Sequence, residues 1–309
     1  MDYNTFMNLK TAEIAQIVRE NGPKVCVFPI NGTRRWFRLE YPDVSPEDFM
    51  STYLEAMVQV HLRLCRLFFE HGLDTLIAPM ISSIILERGP EYLQVLPKGF
   101  AYLINHPDFK TLCQELEIRV RLYGDYRGIL AGTPHEHLIS FLQDIDQTAT
   151  KQTESFSRHR LFLGLFGDDS MNTIANLTVR YYQEHGRVPD ERTLVELYYG
   201  EYIPPSDLFI TFGKIATYDR PLLASGGEDL YFTVEPSPYF TLTQLRRIFY
   251  DHLFVRQLGK KDHSQKQAKN WEFMREFYQA NSGNILGLGK RMEQDDTWYP
   301  LSQVNWPDA

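Results

Sequence analysis

Cysteine is scarce in this 309-residue chain, and its placement excludes two kinds of architecture. Cys26, Cys65 and Cys113 lie far apart with no CxxC pair, so neither a disulfide framework nor a zinc knuckle is available, and a reducing cytoplasm is the expected home. A basic excess is also lacking: 32 Lys and Arg face 40 Asp and Glu, a formal net charge of −8. Nucleic-acid binders concentrate positive charge against phosphate, so no nucleic-acid partner is expected. Long apolar runs are missing too. The stretch from Leu76 to Leu86 is too short and too interrupted by serine to span a bilayer, and the opening MDYNTFMNLK has no secretory apolar region. No stable membrane insertion is expected, and the acidity of the chain leaves only transient contact with lipid.

Several common site signatures are absent as well. Gly287-x-Gly289-Lys290 lacks a third glycine and a preceding strand, and reads as a turn. Asp168-Asp169 has no carboxylate three residues on, which favours an N-cap or turn over a metal pair. The histidines of His135-Glu136-His137 diverge by about 200° on a helix, which makes them a surface cluster at a helix start. No internal repeat is visible.

What is present is apolar mass in a regular rhythm. Hydrophobic residues make up 43% of the chain and aromatics 14%, enough for a large core or a deep apolar cavity and too much for disorder. Short aliphatic runs at Lys24–Pro29, Thr75–Met80, Ile118–Tyr123, Leu161–Phe166, Asp207–Gly213 and Leu230–Thr233 are near-continuously apolar, as strands covered on both faces are. Helical periodicity separates them, at Thr11–Glu20, Glu91–Asn105, His135–Thr148, Ser170–His185, Glu191–Tyr199 and Thr241–Gln257. Between the first two strands, Ser45-Pro46-Glu47-Asp48 supplies an N-cap, a first-turn proline and first-turn acids. The helix that follows carries the stripe Phe49, Tyr53, Met57, Val60, Leu64 and Phe68, and His71-Gly72 ends it. The pattern predicts an α/β fold: a central, mainly parallel sheet of about six strands flanked by helices. After Gln257 the polar, basic GKKDHSQKQAK reads as a hinge, dividing a domain over 1–257 from a C-terminal arm over 258–309, whose packing on self or partner stays open.

The most informative stretch is Phe28-Pro29-Ile30-Asn31-Gly32-Thr33-Arg34-Arg35-Trp36, directly after the first strand. Parallel sheets bind ligands at the carboxyl ends of their strands. There a glycine lets the backbone approach a ligand and paired arginines can fork onto phosphate oxygens. An arginine pair after a turn is ordinarily solvated surface; its position beside Gly32 and Trp36 favours a site.

These residues resemble the Asp-Gly-Asn-Gly-Arg-Trp loop of the cis-prenyltransferase superfamily. Ser82, Ser83 and Arg88 resemble that family's loop after the second strand, Tyr123-Gly124-Asp125 its Gly-Asp strand end, and Asp207-Leu208-Phe209-Ile210 with Asp229–Thr233 its C-terminal signature. Within the superfamily, GPKVCVFPINGTRRWFRLE, FFEHGLDT, LYGDY, YYGEYIPPSDLFITFG, PLLASG and LYFTVEPSPYFTLTQLRRIFYDHLF are similar to the tuberculosinol and tuberculosinyl-adenosine synthase branch, which includes kolavelool synthase. The resemblance implies an enzyme that takes a bicyclic diterpenyl diphosphate, expels diphosphate and lets water or adenosine capture the allylic cation. It implies substrate contacts at Gly32, Thr33, Arg34, Arg35, Trp36, Ser82, Ser83 and Arg88, catalytic roles for position 31, Arg34, Arg35, Tyr53 and Tyr92, Mg²⁺ at position 31, and a homodimer.

Two departures carry consequences. Elongating members hold a second diphosphate with Arg-Thr-Gly-Gly-Glu-x-Arg, where this chain reads Thr211-Phe212-Gly213-Lys214-Ile215-Ala216-Thr217. Both arginines have become threonines, which favours ionisation and capture over chain extension. Asn31 stands where the family carries Asp, and a carboxamide neither accepts a proton nor binds Mg²⁺ as a carboxylate does. An engineered isosteric change and a natural loss of activity both fit, the second as a non-catalytic partner subunit. Retention of Arg34, Arg35, Tyr53 and Tyr92 favours a silenced enzyme that still binds its substrate.

Overall fold

A computed structural model describes residues 1–82, 90–167, 170–256, 268–292 and 297–301, with the backbone alone at 90–96, 170, 268–270 and 297. In chain order the elements are α1 (Tyr3–Asn8), α2 (Thr11–Asn21), β1 (Val25–Val27), α3 (Thr33–Glu40), α4 (Phe49–Glu70), β2 (Thr75–Ile81), α5 (Pro90–Asn105) and α6 (Pro107–Leu116). Next come β3 (Ile118–Tyr123), α7 (Tyr126–Leu130), α8 (Leu138–Thr153), β4 (His159–Leu165), α9 (Ser170–His185), α10 (Glu191–Tyr199), β5 (Leu208–Phe212) and β6 (Asp229–Thr233). The chain continues through α11 (Leu242–Tyr250) and α12 (Ala268–Ala280) into the antiparallel hairpin β7 (Gly289–Met292) and β8 (Thr297–Pro300).

The six predicted strands form one sheet in the order β3-β4-β2-β1-β5-β6, every pairing parallel. Side chains alternate across it, as pleating requires. Cys26, Leu76, Ala78, Leu161, Leu163, Leu208 and Ile210 join the larger core under α4, α6, α8 and α11, while Val25, Val27, Ile77, Phe162 and Phe209 join a smaller core with α9 and α10. With helices on both faces, these strands have no polar face to show, which is why they read as continuous apolar runs. From β1 the chain moves outward through β2 on one side and later through β5 on the other, so the carboxyl end of β1 opens into a crevice at the point where strand order reverses.

The boundaries correct several expectations. Ser45 does not cap α4, which starts at Phe49 after Asp48; the Ser45 hydroxyl accepts from the Asp48 amide at 3.1 Å and donates to its carboxylate at 2.8 Å, closing a separate turn before the helix. The α-helix predicted to reach Gln257 changes at Asp251 into a wider π turn. The widening sets Asp251 2.7 Å from the Tyr231 hydroxyl and His252 2.8 Å from Asp229, tying the segment to β6. Gly287 does occupy a turn, with φ 96°, but Gly289 and Lys290 open strand β7. Asp168 and Asp169 lie outside the described residues.

The carboxyl end of β3 depends on one glycine. Gly124 has φ +108°, and a Cβ added there would lie 1.9 Å from the Leu165 carbonyl oxygen. Gly124→Ala is therefore expected to cost about 3 kcal/mol or more, combining backbone strain with a contact that rigid backbone cannot relieve. Gly186→Ala, at φ +68° with nothing within 4 Å, should cost only about 1 kcal/mol. Urea unfolding of the two variants checks this, and equal losses would contradict it.

Candidate active site

Beyond β1 the chain turns at Gly32 and enters α3. Gly32 has φ 75° and ψ 12°, and a Cβ there would stand 2.9 Å from both the Phe212 ring and Pro236, so glycine is required on two counts. The first turn of α3 has no side-chain cap and no acidic residue, which leaves its positive end and its N–H donors directed at whatever lies beyond the loop. That is a favourable place for an anion.

The loop has two working sides. Ile30, Thr33 and Arg34 border an apolar pocket walled by Phe49, Tyr53 and Met57 of α4, Met80 and Ile81 of β2, and Phe100 and Leu103 of α5; it holds about 920 Å³ of space between atoms, part of it open to solvent. Asn31, Gly32 and Arg35 border a second cleft on the other side. In the first pocket, the hydroxyls of Thr33 and Tyr53 are 2.8 Å apart, and Tyr53 is braced by Phe37 edge-on at 5.3 Å and by Phe49 stacked at 5.9 Å. Deeper in, His61 donates through Nδ1 to the Met57 carbonyl at 2.6 Å, with Nε2 3.4 Å from the Met80 sulfur. Burial depresses its pKa, so the imidazole is neutral and the pocket carries no charge at that depth.

Asn31 is held through both its backbone and its side chain. Its backbone N–H donates to Ser237 Oγ at 3.1 Å and its carbonyl accepts from the Ser237 amide at 3.0 Å. Its amide Nδ2 donates to Thr211 Oγ1 at 3.3 Å and to the Tyr218 hydroxyl, and those two hydroxyls are 2.9 Å apart. Thr211, fully buried at the end of β5, thus belongs to a neutral hydrogen-bonded trio at the place where a cation clamp would need arginine. Arg35 lies over the Phe212 ring, its guanidinium carbon 5.5 Å from the centroid.

No family model matches the chain. It is 38% identical over 295 residues to the tuberculosinyl adenosine transferase of Mycobacterium tuberculosis, spanning 95% of this chain and 96% of that protein. The chain belongs to the tuberculosinyl-adenosine transferase branch of the cis-prenyltransferase superfamily. A (+)-kolavelool synthase of Herpetosiphon aurantiacus is 27% identical over 294 residues, 92% of each chain. Among solved structures, lavandulyl diphosphate synthase from Lavandula x intermedia in complex with dimethylallyl diphosphate matches with a TM-score of 0.59 at 17% identity, over 75% of this chain and 95% of that one. A probable undecaprenyl diphosphate synthase from Campylobacter jejuni gives 0.53 at 14% identity, over 76% and 97%. At those identities the likeness concerns fold, and the six-stranded sheet of this branch member agrees with it.

Of the site residues predicted for this branch member, the structure brings Thr33, Arg34 and Tyr53 to one pocket mouth and Asn31, Gly32 and Arg35 to the other side of the loop. Trp36 is not among the residues lining either; it packs edge-on against Tyr41 at 5.9 Å and wedges α3 onto the core. Ser82 follows Ile81 at the end of β2, half-buried. Ser83 and Arg88 lie outside the described residues, and Tyr92 is placed on α5 by its backbone alone. Mg²⁺ at position 31 does not fit the donors found there, a carboxamide and two hydroxyls with no carboxylate among them, and among the described residues no group of three His, Cys, Asp or Glu converges on a metal position. Among the described residues no helix is long and apolar enough to cross a membrane. Tyr218 and Ser237 were missed from sequence; neither has a periodic or spacing signal, and only their distant partner Asn31 gives them meaning.

Burial also lowers the pKa of His71 and His159, as it does for His61. Below the unfolded value of about 6.5 the unfolded chain takes up protons that the folded chain refuses. Stability should therefore hold above pH 6.5 and fall as pH drops from there towards the depressed folded values. Urea midpoints measured from pH 7.5 to 5 test this, and His61→Leu should flatten the slope; an unchanged slope would contradict the neutral pocket.

Proposed function

We propose that this protein ionises a bicyclic diterpenyl diphosphate of the kolavenyl or tuberculosinyl type and delivers the allylic cation to a nucleophile. The observation that carries the reading is the two-sided loop, with an uncapped helix end and Arg34 at the mouth of an apolar, uncharged pocket. The diphosphate would lie against the N–H groups of Thr33 to Arg35, with Arg34 and Arg35 taking up charge as it departs. The C–O bond breaks heterolytically and its electron pair leaves on the diphosphate. The cation remains among Tyr53, Phe49 and Phe100, whose ring faces stabilise positive charge, while neutral His61 adds no repulsion.

Water in this arrangement attacks the cation, loses a proton and gives a diterpene alcohol. A neutral carboxamide cannot receive that proton, so Asn31 orients the nucleophile and the departing diphosphate is the base. Capture by a nucleoside is the second reading, favoured by the aromatic lining of the cleft beyond Asn31 and by the adenosine named for the 38% identical relative. Chain extension is disfavoured, because Thr211 is buried, neutral and committed to Asn31 and Tyr218.

Diphosphate release from a panel of diterpenyl diphosphates tests the proposal. The chain should bind substrate and release diphosphate slowly, and Asn31→Asp should raise the rate by about 10²-fold or more, the scale of a positioned general base. In that background Arg34→Ala and Arg35→Ala should each lower the rate by about two orders of magnitude. Normal rates in both arginine variants would move the diphosphate elsewhere. Isopentenyl diphosphate offered with an allylic primer should give no longer product, and label entering a longer chain would contradict the reading of Thr211.

A further inference from the structure

The apolar pocket beside α4 holds a polar atom to which no described side chain donates. Met57 offers His61 only a carbonyl, so the 2.6 Å contact puts the ring proton on Nδ1. The imidazole is neutral, and Nε2 therefore keeps a lone pair. Among the described residues its neighbour is the Met80 sulfur at 3.4 Å, and a thioether has no proton to give. His61 is 6% exposed, which denies bulk water the same place. A single trapped water is a poor substitute, because it needs several polar partners and the lining here includes Val58, Ile81, Phe100 and Leu103. We propose that Nε2 of His61 is a subsite for a hydroxyl group carried on the ring system of the diterpenyl substrate, at the end remote from the diphosphate.

Two further observations lead there. The first is position. Tyr53 stands at the pocket mouth against Thr33, and His61 follows two turns later on the same helix, about 12 Å further along its axis. A substrate whose diphosphate lies at the start of α3 therefore brings the far ring of its bicycle, and not the ionising carbon, to Nε2. The atom is placed to read the rings. The second is the way Met80 is presented. In the ladder between β2 and β4, Pro79 pairs with Gly164 and Ile81 with Leu165, so Met80 is the extra residue of a bulge. Consecutive side chains of a regular strand face opposite ways, whereas the bulge lets Met80 and Ile81 line the pocket together. The side chain brought against Nε2 in this way is unbranched and flexible, suited to covering the atom when the pocket is empty and to swinging aside for a ligand. A charged terminus is poorly served, since Arg34 at the mouth is the one charged residue among those described in the lining. A hydroxyl supplies the proton that Nε2 lacks, and the hydrocarbon that carries it holds it in place.

The proposal rests on the ionisation reading for its ligand and narrows the class: a bicyclic diterpenyl diphosphate oxygenated on its rings. The probes are unreactive thio-diphosphate analogues, one a plain bicyclic diterpenyl chain and the others its counterparts with a single hydroxyl at each position of the ring remote from the thio-diphosphate. Each is titrated into the full-length protein by calorimetry. One hydroxylated analogue should bind about tenfold more tightly than the plain one, the scale of a hydrogen bond to a buried acceptor. His61→Leu should reverse that order, because the hydroxyl is then buried without a partner, and His61→Gln, whose amide oxygen also accepts, should restore part of the preference. Circular dichroism checks that the variants fold. In nitrogen NMR of the unaltered protein, the Nε2 signal of His61 should move upfield with the preferred hydroxylated analogue and stay in place with the plain one. No hydroxylated analogue binding better than the plain one, or a preference that survives His61→Leu, overturns the subsite and leaves the ionisation reading standing. An Nε2 signal already at the hydrogen-bonded position without ligand, and unmoved by every analogue, also overturns it, in favour of a bound water. Failure of every analogue to bind, the plain one included, overturns both.

Discussion

The turn at Gly32 is the constraint on which the rest of the site depends. A left-handed residue wedged between Phe212 and Pro236 forces the chain from β1 straight into α3, and only glycine satisfies both the dihedral and the space. Because α3 begins at once, its N–H groups point outward from the carboxyl end of the sheet, and the loop's side chains divide between its two sides. Ile30, Thr33 and Arg34 go to the apolar pocket, Asn31 and Arg35 to the opposite cleft. Ser237 fixes this geometry from a distant part of the chain by bonding both backbone groups of Asn31 and the Pro29 carbonyl.

Around that turn, the buried polar groups on both sides are neutral. Deep in the pocket beside α4, His61 is buried, bonded to Met57 and short of its ordinary basicity. On the other side, Asn31, Thr211 and Tyr218 make a closed set of neutral hydrogen bonds, and burial holds the Tyr218 phenol above its usual pKa despite its bonds to Thr211 and Asn31. The amide at position 31 is therefore matched to its neighbours. It donates hydrogen bonds and does not titrate.

The parallel sheet was legible from sequence because strands covered on both faces must be apolar throughout, and that shows as unbroken runs such as Leu161–Leu165. The stripe on α4 was legible for the same reason, since Met57, Leu64 and Phe68 all enter the core. The loop after β1 was legible as a turn at the sheet's carboxyl end from its Gly-Thr-Arg-Arg pattern and its position after β1. The partners of Asn31 were not, because Thr211, Tyr218 and Ser237 are brought to it across 180 residues or more and no local period marks them. The start of α4 was misread at Ser45 because the same residues, Ser-Pro-Glu-Asp, also close a turn, and only the tertiary position of Phe49 against Phe37 separates the two outcomes. The C-terminal hairpin was hidden likewise, as Gly289 makes sense only under the indole of Trp298.

The central claim is that one diphosphate sits at the start of α3 with its hydrocarbon on the α4 side of the loop. A crystal structure with an unreactive thio-diphosphate analogue of a diterpenyl substrate measures this directly. The account predicts phosphate oxygens within hydrogen-bonding distance of the Thr33–Arg35 amides and of Arg34, and the hydrocarbon between Tyr53, Met57 and Phe100. Phosphates found beside Lys214 with the hydrocarbon against Trp298, or the pocket between α4 and α5 left without ligand, would contradict it.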